Sequence, residues 1–218
     1  MNKEKICILG ASRGLGLEIA KKLSTRAHLL LLSRTAPDAS IRAHHDFLSS
    51  DFSQKTAQEK VLKHIQDWNP ERIFYIAGGG PYGDFSKKEW KDHQWALEVS
   101  FLFPARLIHF FSQKDSLALK QMAFVGSMIV ENKPYPKGAS YAAAKTALHS
   151  LIASLQEASL PFELKLFSPS YMDTTLLPPR ATPRINGTPI LSPPKVAQEF
   201  IHWCFHAKNS WHHEAKEQ

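Results

Sequence analysis

Seven residues near the start of the chain restrict its fold more than any other stretch. An apolar run, Lys5-Ile6-Cys7-Ile8-Leu9, passes straight into Gly10-Ala11-Ser12-Arg13-Gly14-Leu15-Gly16 and then into the amphipathic segment Leu17-Glu18-Ile19-Ala20. A strand that turns into a helix this quickly uses its glycines differently at each position. Gly10 takes a backbone angle closed to other residues, Gly14 lets the chain approach a pyrophosphate, and Gly16 lets helix and strand pack closely. The helix N-terminus behind them offers amide donors and a partial positive charge. A glycine trio alone also suits a tight packing turn. Set between a strand and a helix, it predicts a dinucleotide-binding turn with Gly10, Ser12, Arg13, Gly14, Leu15 and Gly16 around the phosphates.

Downstream, short apolar runs alternate with longer amphipathic segments. Strand patterns occupy residues 5–10, 28–33, 43–48, 72–77, 121–127 and 163–167, and helical patterns occupy 15–24, 54–68, 87–111, 140–158 and 195–207. Strands that are apolar nearly throughout, separated by helices, belong to a sheet covered on both faces. The expected fold class is therefore α/β, a doubly wound parallel sheet of Rossmann type in three α/β/α layers. Pro104 falls inside the 87–111 pattern and predicts a kink or break. The 218 residues suit one domain, residues 1–210, with a C-terminal tail at 211–218. Seven prolines between 168 and 194, with no period, mark a lid loop at about 169–193 over the active face.

Composition narrows the class further. With 43% hydrophobic and 22% charged residues, the chain is neither disordered nor collagen-like nor a disulfide scaffold. Cys7 and Cys204 sit in apolar stretches and read as reduced, buried thiols. The net charge is +7, but the basic residues are scattered without a run of five, so no nucleic-acid partner is expected. The N-terminus lacks the long apolar core of a signal peptide, and Leu29–Leu32 is too short to span a bilayer, which together predict a cytoplasmic protein with no membrane partner.

The second chemical motif is Ser140-Tyr141-Ala142-Ala143-Ala144-Lys145. Residues four apart share a helix face, so the Lys145 ammonium lies beside the Tyr141 phenol. A free tyrosine titrates near 10, too high for efficient proton transfer at neutral pH, and a nearby cation favours the phenolate. Together, Gly-x-x-x-Gly-x-Gly and Tyr-x-x-x-Lys, in this order, resemble the short-chain dehydrogenase/reductase family over nearly the whole chain.

That resemblance implies further residues. Ser127, fourteen residues before Tyr141 at the end of a strand, matches the family's carbonyl-orienting serine. Asp51 and Phe52 match the neighbourhood of the adenine ring, and Ala77, Gly78 and Gly79 match the backbone beside the adenosine ribose. Pro169, Ser170, Met172 and Thr174 stand where the family holds the nicotinamide, with Ser170 replacing the usual glycine. The second strand ends Ser33-Arg34-Thr35, and its nearest acid, Asp38, lies beyond a proline. An acid there would bind a ribose 2′-hydroxyl, whereas Arg34 and Arg13 suit a 2′-phosphate, so NADP(H) is preferred over NAD(H). The implied activity is hydride transfer between nicotinamide and a small-molecule carbonyl or alcohol, with Ser127, Tyr141 and Lys145 as catalytic set. The family's dimers and tetramers imply a homodimer or homotetramer.

Two departures from the pattern motivate an alternative, a catalytically weakened NADP(H)-binding sensor on the same fold. Tyr75-Ile76-Ala77-Gly78 replaces the family's Asn-Asn-Ala-Gly, which removes two side chains that stiffen this turn. Ser100 stands where an asparagine normally holds a water of the proton relay, and a hydroxyl has one donor where an amide has two. On the substrate side, Phe85, Trp90, Trp95 and Tyr135 are candidates for a pocket wall, although aromatics near helix starts and loops belong more often to core or interface. His109, His149 and His202 fall on helical patterns, and no metal site is expected.

Overall fold

A computed structural model describes residues 3–114, 117–130 and 134–217. Its centre is one parallel sheet of seven strands: β1 (Glu4–Leu9), β2 (Ala27–Ser33), β3 (Asp46–Ser49), β4 (Arg72–Tyr75), β5 (Gln121–Val125), β6 (Glu163–Pro169) and β7 (His212–Ala215). Their spatial order is β3-β2-β1-β4-β5-β6-β7. The connecting helices are α1 (Gly14–Leu23), α2 (Ala39–Arg42), α3 (Lys55–Trp68), α4 (Trp90–Leu97), α5 (Phe103–Ser112), α6 (Ala139–Ser154), α7 (Thr182–Ile185) and α8 (Pro193–His206).

Strand alternation explains the layering, because successive side chains point to opposite faces. Cys7, Leu9, Leu30, Leu32, Ile73, Tyr75, Met122 and Phe124 face α3, α5 and α6. Ile6, Ile8, Leu29, Leu31, Phe74, Ala123 and Phe167 face α1 and α8. Both faces are buried, which is why the strands read as continuous apolar runs. The two cysteines are free and buried in opposite cores, Cys7 in one and Cys204 in the other.

The strand order reverses beside β1, which pairs with β2 on one side and β4 on the other. A crevice therefore opens at the carboxyl ends of β1 and β4, the point where such sheets bind ligands. Gly10 has a φ of 97°, and a Cβ on it would stand 2.6 Å from the Ala77 amide nitrogen. On Gly16 a Cβ would stand 2.1 Å from the Gly10 carbonyl oxygen, so helix and strand meet only because it is absent.

Four segments differ from the sequence expectation. The 87–111 pattern is divided into α4, a π-helical turn at Glu98–Leu102, and α5. Pro104 cannot donate to the Ser100 carbonyl, and the helix accommodates this by widening one turn earlier. The third strand begins at Asp46 instead of residue 43, because the His45 ring meets β2 in place of backbone: the Leu29 N–H donates to its Nδ1 at 3.3 Å. The last helix starts at Pro193, where a missing N–H is harmless, and Pro169 belongs to β6, so the segment read as a lid is a loop over residues 170–192 that carries α7.

The fourth correction concerns residues 211–218. They are not merely a tail: His212–Ala215 is an edge strand paired with Leu166–Pro169. Leu166 N–H donates to the Trp211 carbonyl at 2.7 Å, Ser170 N–H to the Ala215 carbonyl at 2.8 Å, and the His213 ring stacks on Phe167 at 5.3 Å. The domain thus runs past residue 210. Deleting residues 211–218 is expected to lower the melting temperature by about 5 °C or more, since about 2 kcal/mol of burial and ladder bonding is lost and each kcal/mol moves Tm by about 2–4 °C. An unchanged calorimetric melting curve would mark the segment as a dispensable tail.

Candidate active site

The crevice is a cavity of about 460 Å³. Its wall brings together Gly10, Ser12, Arg13, Gly14, Leu15, Gly16, Ser33, Arg34, Asp51, Phe52, Ala77, Gly78, Ser127, Tyr141, Lys145, Pro169, Ser170, Met172 and Thr174. Two sequence candidates, Gly79 and Ser100, are not on that wall. They lie behind it, bonded to each other.

At one end the wall is built for an anion. The α1 N-terminus points its amides into the groove, and Arg13 and Arg34 stand exposed at its rim. The Arg34 guanidinium lies 5.5 Å above the Trp95 ring. The Ser33 hydroxyl donates to the Thr35 carbonyl at 2.7 Å and shapes the end of β2. Asp51 is the one carboxylate on the wall among the described residues. Its Oδ1 accepts from the Ser53 amide at 3.0 Å and hydroxyl at 2.8 Å. Phe52 stacks on Phe103 at 5.4 Å, so its ring serves the core. A groove of close backbone, helix amides and two cations fits a dinucleotide phosphate chain.

At the middle of the cavity, α6 presents Tyr141 and Lys145 from the same face. Lys145 is 2% exposed, its ammonium donates to the Val125 carbonyl at 2.6 Å, and it lies 5.8 Å from the Tyr141 ring centroid. Ser127 follows β5, held in a turn in which the Val130 N–H donates to its carbonyl at 3.1 Å. A phenol with an ammonium one helical turn away, sharing a cavity with a buried hydroxyl, can pass a proton to a polarised oxygen.

The turn after β4 explains how these groups fit. A side chain on Gly78 would meet Lys145 and Ser100, on Gly79 it would meet Trp95, and on Gly80 it would meet the Tyr141 Cβ at 2.9 Å. Stiffening expected to be lost with the family's amides is supplied from the other side. The Gly79 N–H donates to the Ser100 hydroxyl at 3.1 Å, and that hydroxyl donates to the Gly79 carbonyl at 3.1 Å. Ser100 is fully buried, and the π-helical turn before Pro104 carries it.

Sequence reasoning missed several residues. His93, buried on α4, has Nδ1 2.6 Å from the Ser140 hydroxyl and Nε2 3.1 Å from the Phe85 carbonyl. Because a carbonyl only accepts, Nε2 carries the proton and Nδ1 accepts from Ser140. The pair ties α4 to the residue before Tyr141. No neighbouring ligand-like residue in the sequence signals this. Of the four aromatic candidates, Trp95 and Tyr135 line the cavity, whereas Phe85 and Trp90 lie outside it, 52% and 63% exposed. Tyr82 and Tyr171 also line it, and Tyr171 falls within the Pro169–Thr174 stretch already singled out. Thr174 packs over Gly14 and Leu176 over Gly79, so the loop after β6 crosses the crevice. Among the described residues no group of three His, Cys, Asp or Glu side chains is placed to hold a metal ion, and no helix is long and apolar enough to cross a membrane.

Comparison with known proteins agrees with this fold. The fold matches an alcohol dehydrogenase from the archaeon Thermococcus sibiricus complexed with 5-hydroxy-NADP, with a TM-score of 0.78 and 20% identity over 98% of this chain and 95% of that one. It also matches a Sphingobium yanoikuyae short-chain dehydrogenase in complex with NADPH, with a TM-score of 0.80 and 16% identity over 97% and 87%. A Burkholderia phymatum short-chain dehydrogenase/reductase in complex with NAD matches with a TM-score of 0.78 and 17% identity over 97% and 89%. No curated protein sequence matches significantly. The sequence profile of the family described as short chain dehydrogenase matches residues 4–183. With that profile spanning most of the chain, the protein belongs to the short-chain dehydrogenase family.

Proposed function

We propose that this chain is an NADP(H)-dependent oxidoreductase that interconverts a small carbonyl compound and its alcohol, using Ser127, Tyr141 and Lys145. One observation carries the reading: the glycine turn, the two rim arginines and the Ser127, Tyr141 and Lys145 side chains line a single cavity. The bound nicotinamide supplies or accepts the hydride. The α1 amides and the turn Gly10–Gly16 would hold the pyrophosphate, Arg13 and Arg34 a 2′-phosphate, Asp51 and the Phe52 backbone the adenine side, and Ala77–Gly79 the ribose. Pro169, Ser170, Met172 and Thr174 would flank the nicotinamide.

In the reductive direction the Ser127 hydroxyl donates to the substrate oxygen and polarises the carbonyl. Tyr141 then gives its phenolic proton to that oxygen, and the Lys145 ammonium stabilises the phenolate left behind. Lys145 itself is oriented by the Val125 carbonyl, and Ser100 keeps the Gly79 turn in place beneath it. Structural neighbours bind NADP-type or NAD cofactors, so the preference for NADP(H) rests on Arg13, Arg34 and the lack of an acid between Ser33 and Pro37. The free, buried cysteines support a reducing compartment, and the exposed Leu102 beside α5 supports a homodimer or homotetramer joined through α5 and α6.

Tyr141→Phe is expected to cut turnover by about 10²–10⁴-fold, the usual worth of a general acid, while NADPH titration by fluorescence stays close to wild type. Unchanged turnover would sink the mechanism. Arg34→Ala is expected to weaken NADPH binding about tenfold, the size of one charge-assisted hydrogen bond, and to spare NADH. Equal loss for both nucleotides would contradict a 2′-phosphate role. Oxidation of NADPH with none of a panel of ketones, aldehydes and quinones, despite tight binding, would favour a nucleotide sensor.

A further inference from the structure

The half of the cavity beyond Tyr141 has a chemical character of its own. Three loops each send in one phenol: Tyr82 from the segment after β4, Tyr135 from just before α6, and Tyr171 from just after β6. Ring centroids are 6.4 Å apart for Tyr82 and Tyr135, and 6.5 Å for Tyr135 and Tyr171, with interplanar angles of 59° and 44°. These rings do not stack flat on one another, so faces and edges remain presented at spacings that suit a further aromatic ring. The Tyr82 hydroxyl accepts from the Thr182 N–H at 3.3 Å, which fixes this wall to the lid helix α7. Burial, and contact with Tyr171 and Tyr82, pushes the Tyr135 hydroxyl well above the usual tyrosine range, and burial raises Tyr171 as well. Tyr135 and Tyr171 therefore stay neutral at physiological pH. Ile129, Val130 and Leu176 complete the wall with aliphatic surface.

Charge is segregated along the cavity. Among the described lining residues, the permanently charged side chains are Arg13, Arg34, Asp51 and Lys145. The first three belong to the nucleotide end, and the Lys145 ammonium is buried against the Val125 carbonyl. On segments adjoining lining residues, Lys137 is paired with Asp84, and Arg184 with Asp173 at 2.7 Å. A substrate carboxylate or phosphate seated among the tyrosines would lose its hydration, and among the described lining residues no cation at this end is placed to replace it. A flat, neutral ring loses little and gains aromatic contact on several sides.

We infer that the substrate is an uncharged ketone whose carbonyl is carried on an aromatic ring, seated by Tyr82, Tyr135 and Tyr171 with its oxygen toward Ser127 and Tyr141. This rests on the carbonyl-reductase reading above and adds the substrate class. Keto acids, acyl thioesters of charged carriers and sugar phosphates are the classes it excludes.

Binding tests the inference apart from catalysis. Calorimetric titration of Tyr141→Phe protein, with and without saturating NADPH, compares 1-tetralone, cyclohexanone and 4-oxopentanoate as probes. The expected result is 1-tetralone binding about tenfold or more tightly than either of the others. Equal affinities, tighter binding of the keto acid, or binding of none of the three overturns it. In wild type, the ratio of kcat/KM for 1-tetralone to that for cyclohexanone is expected to fall about tenfold in Tyr135→Leu and again in Tyr171→Leu, two variants whose failure to fold would not coincide. A ratio unmoved in whichever variant folds contradicts the inference. Selective 1-tetralone binding without NADPH oxidation would fault the catalytic reading and leave the substrate class standing. Fast turnover of 4-oxopentanoate would do the reverse.

Discussion

The site depends on how closely the backbone leaving β1 approaches the backbone leaving β4. Leu9 stands at their junction, its carbonyl accepting from the N–H groups of Ile76 and Ala77 at 2.8 and 3.0 Å. Next to it, Gly10 leaves no room for a side chain against Ala77, and Gly16 leaves none against Gly10. The consequence is a single crevice in which a helix N-terminus, two arginines and the turn after β4 converge. The same sparing use of side chains continues through Gly78–Gly80, where the Cβ-free backbone lets Lys145, Trp95 and Tyr141 close in from three directions.

A second dependency runs through α4 and α5. Pro104 breaks the helical ladder, the π-helical turn absorbs the break, and Ser100 is thereby placed where its hydroxyl both accepts from and donates to Gly79. Because one hydroxyl serves both backbone groups, the turn is held without the amides that the family usually carries there. On α4 itself, His93 acts in a similar way by accepting from the Ser140 hydroxyl. Together α4 and the segment that follows it brace both the turn beneath Lys145 and the helix start beside Tyr141.

What could be read in the sequence was what is local. The glycine turn and the Tyr141 to Lys145 spacing each lie within one strand-to-helix junction or one helical turn, and the apolar strands reflect a sheet covered on both sides. The loss of asparagine at Ser100 was equally visible, but its bond to Gly79 was not, because that partner is distant in sequence and the register depends on a π turn. The strand at His212–Ala215 escaped notice because four residues rich in histidine carry no apolar alternation. Tyr82 and Tyr171 sit in loops, where no periodicity reports which way a side chain faces. The glycine turn was legible and most of the far wall was not, for the physical reason that the turn is built from backbone and glycine in one stretch whereas the far wall, Trp95 and Tyr135 apart, uses loop side chains that carry no period.

The proposed chemistry links three regions of one cavity: a basic groove at one end, a neutral aromatic chamber at the other, and Ser127, Tyr141 and Lys145 between them. The most direct measurement of it is isotope transfer. Protein incubated with NADPH carrying deuterium at both C4 positions of the nicotinamide, together with an aryl ketone, should yield alcohol with one deuterium on the carbinol carbon, detected by mass spectrometry. Nucleotide that binds yet leaves the ketone unreduced, or product without deuterium, would contradict the account.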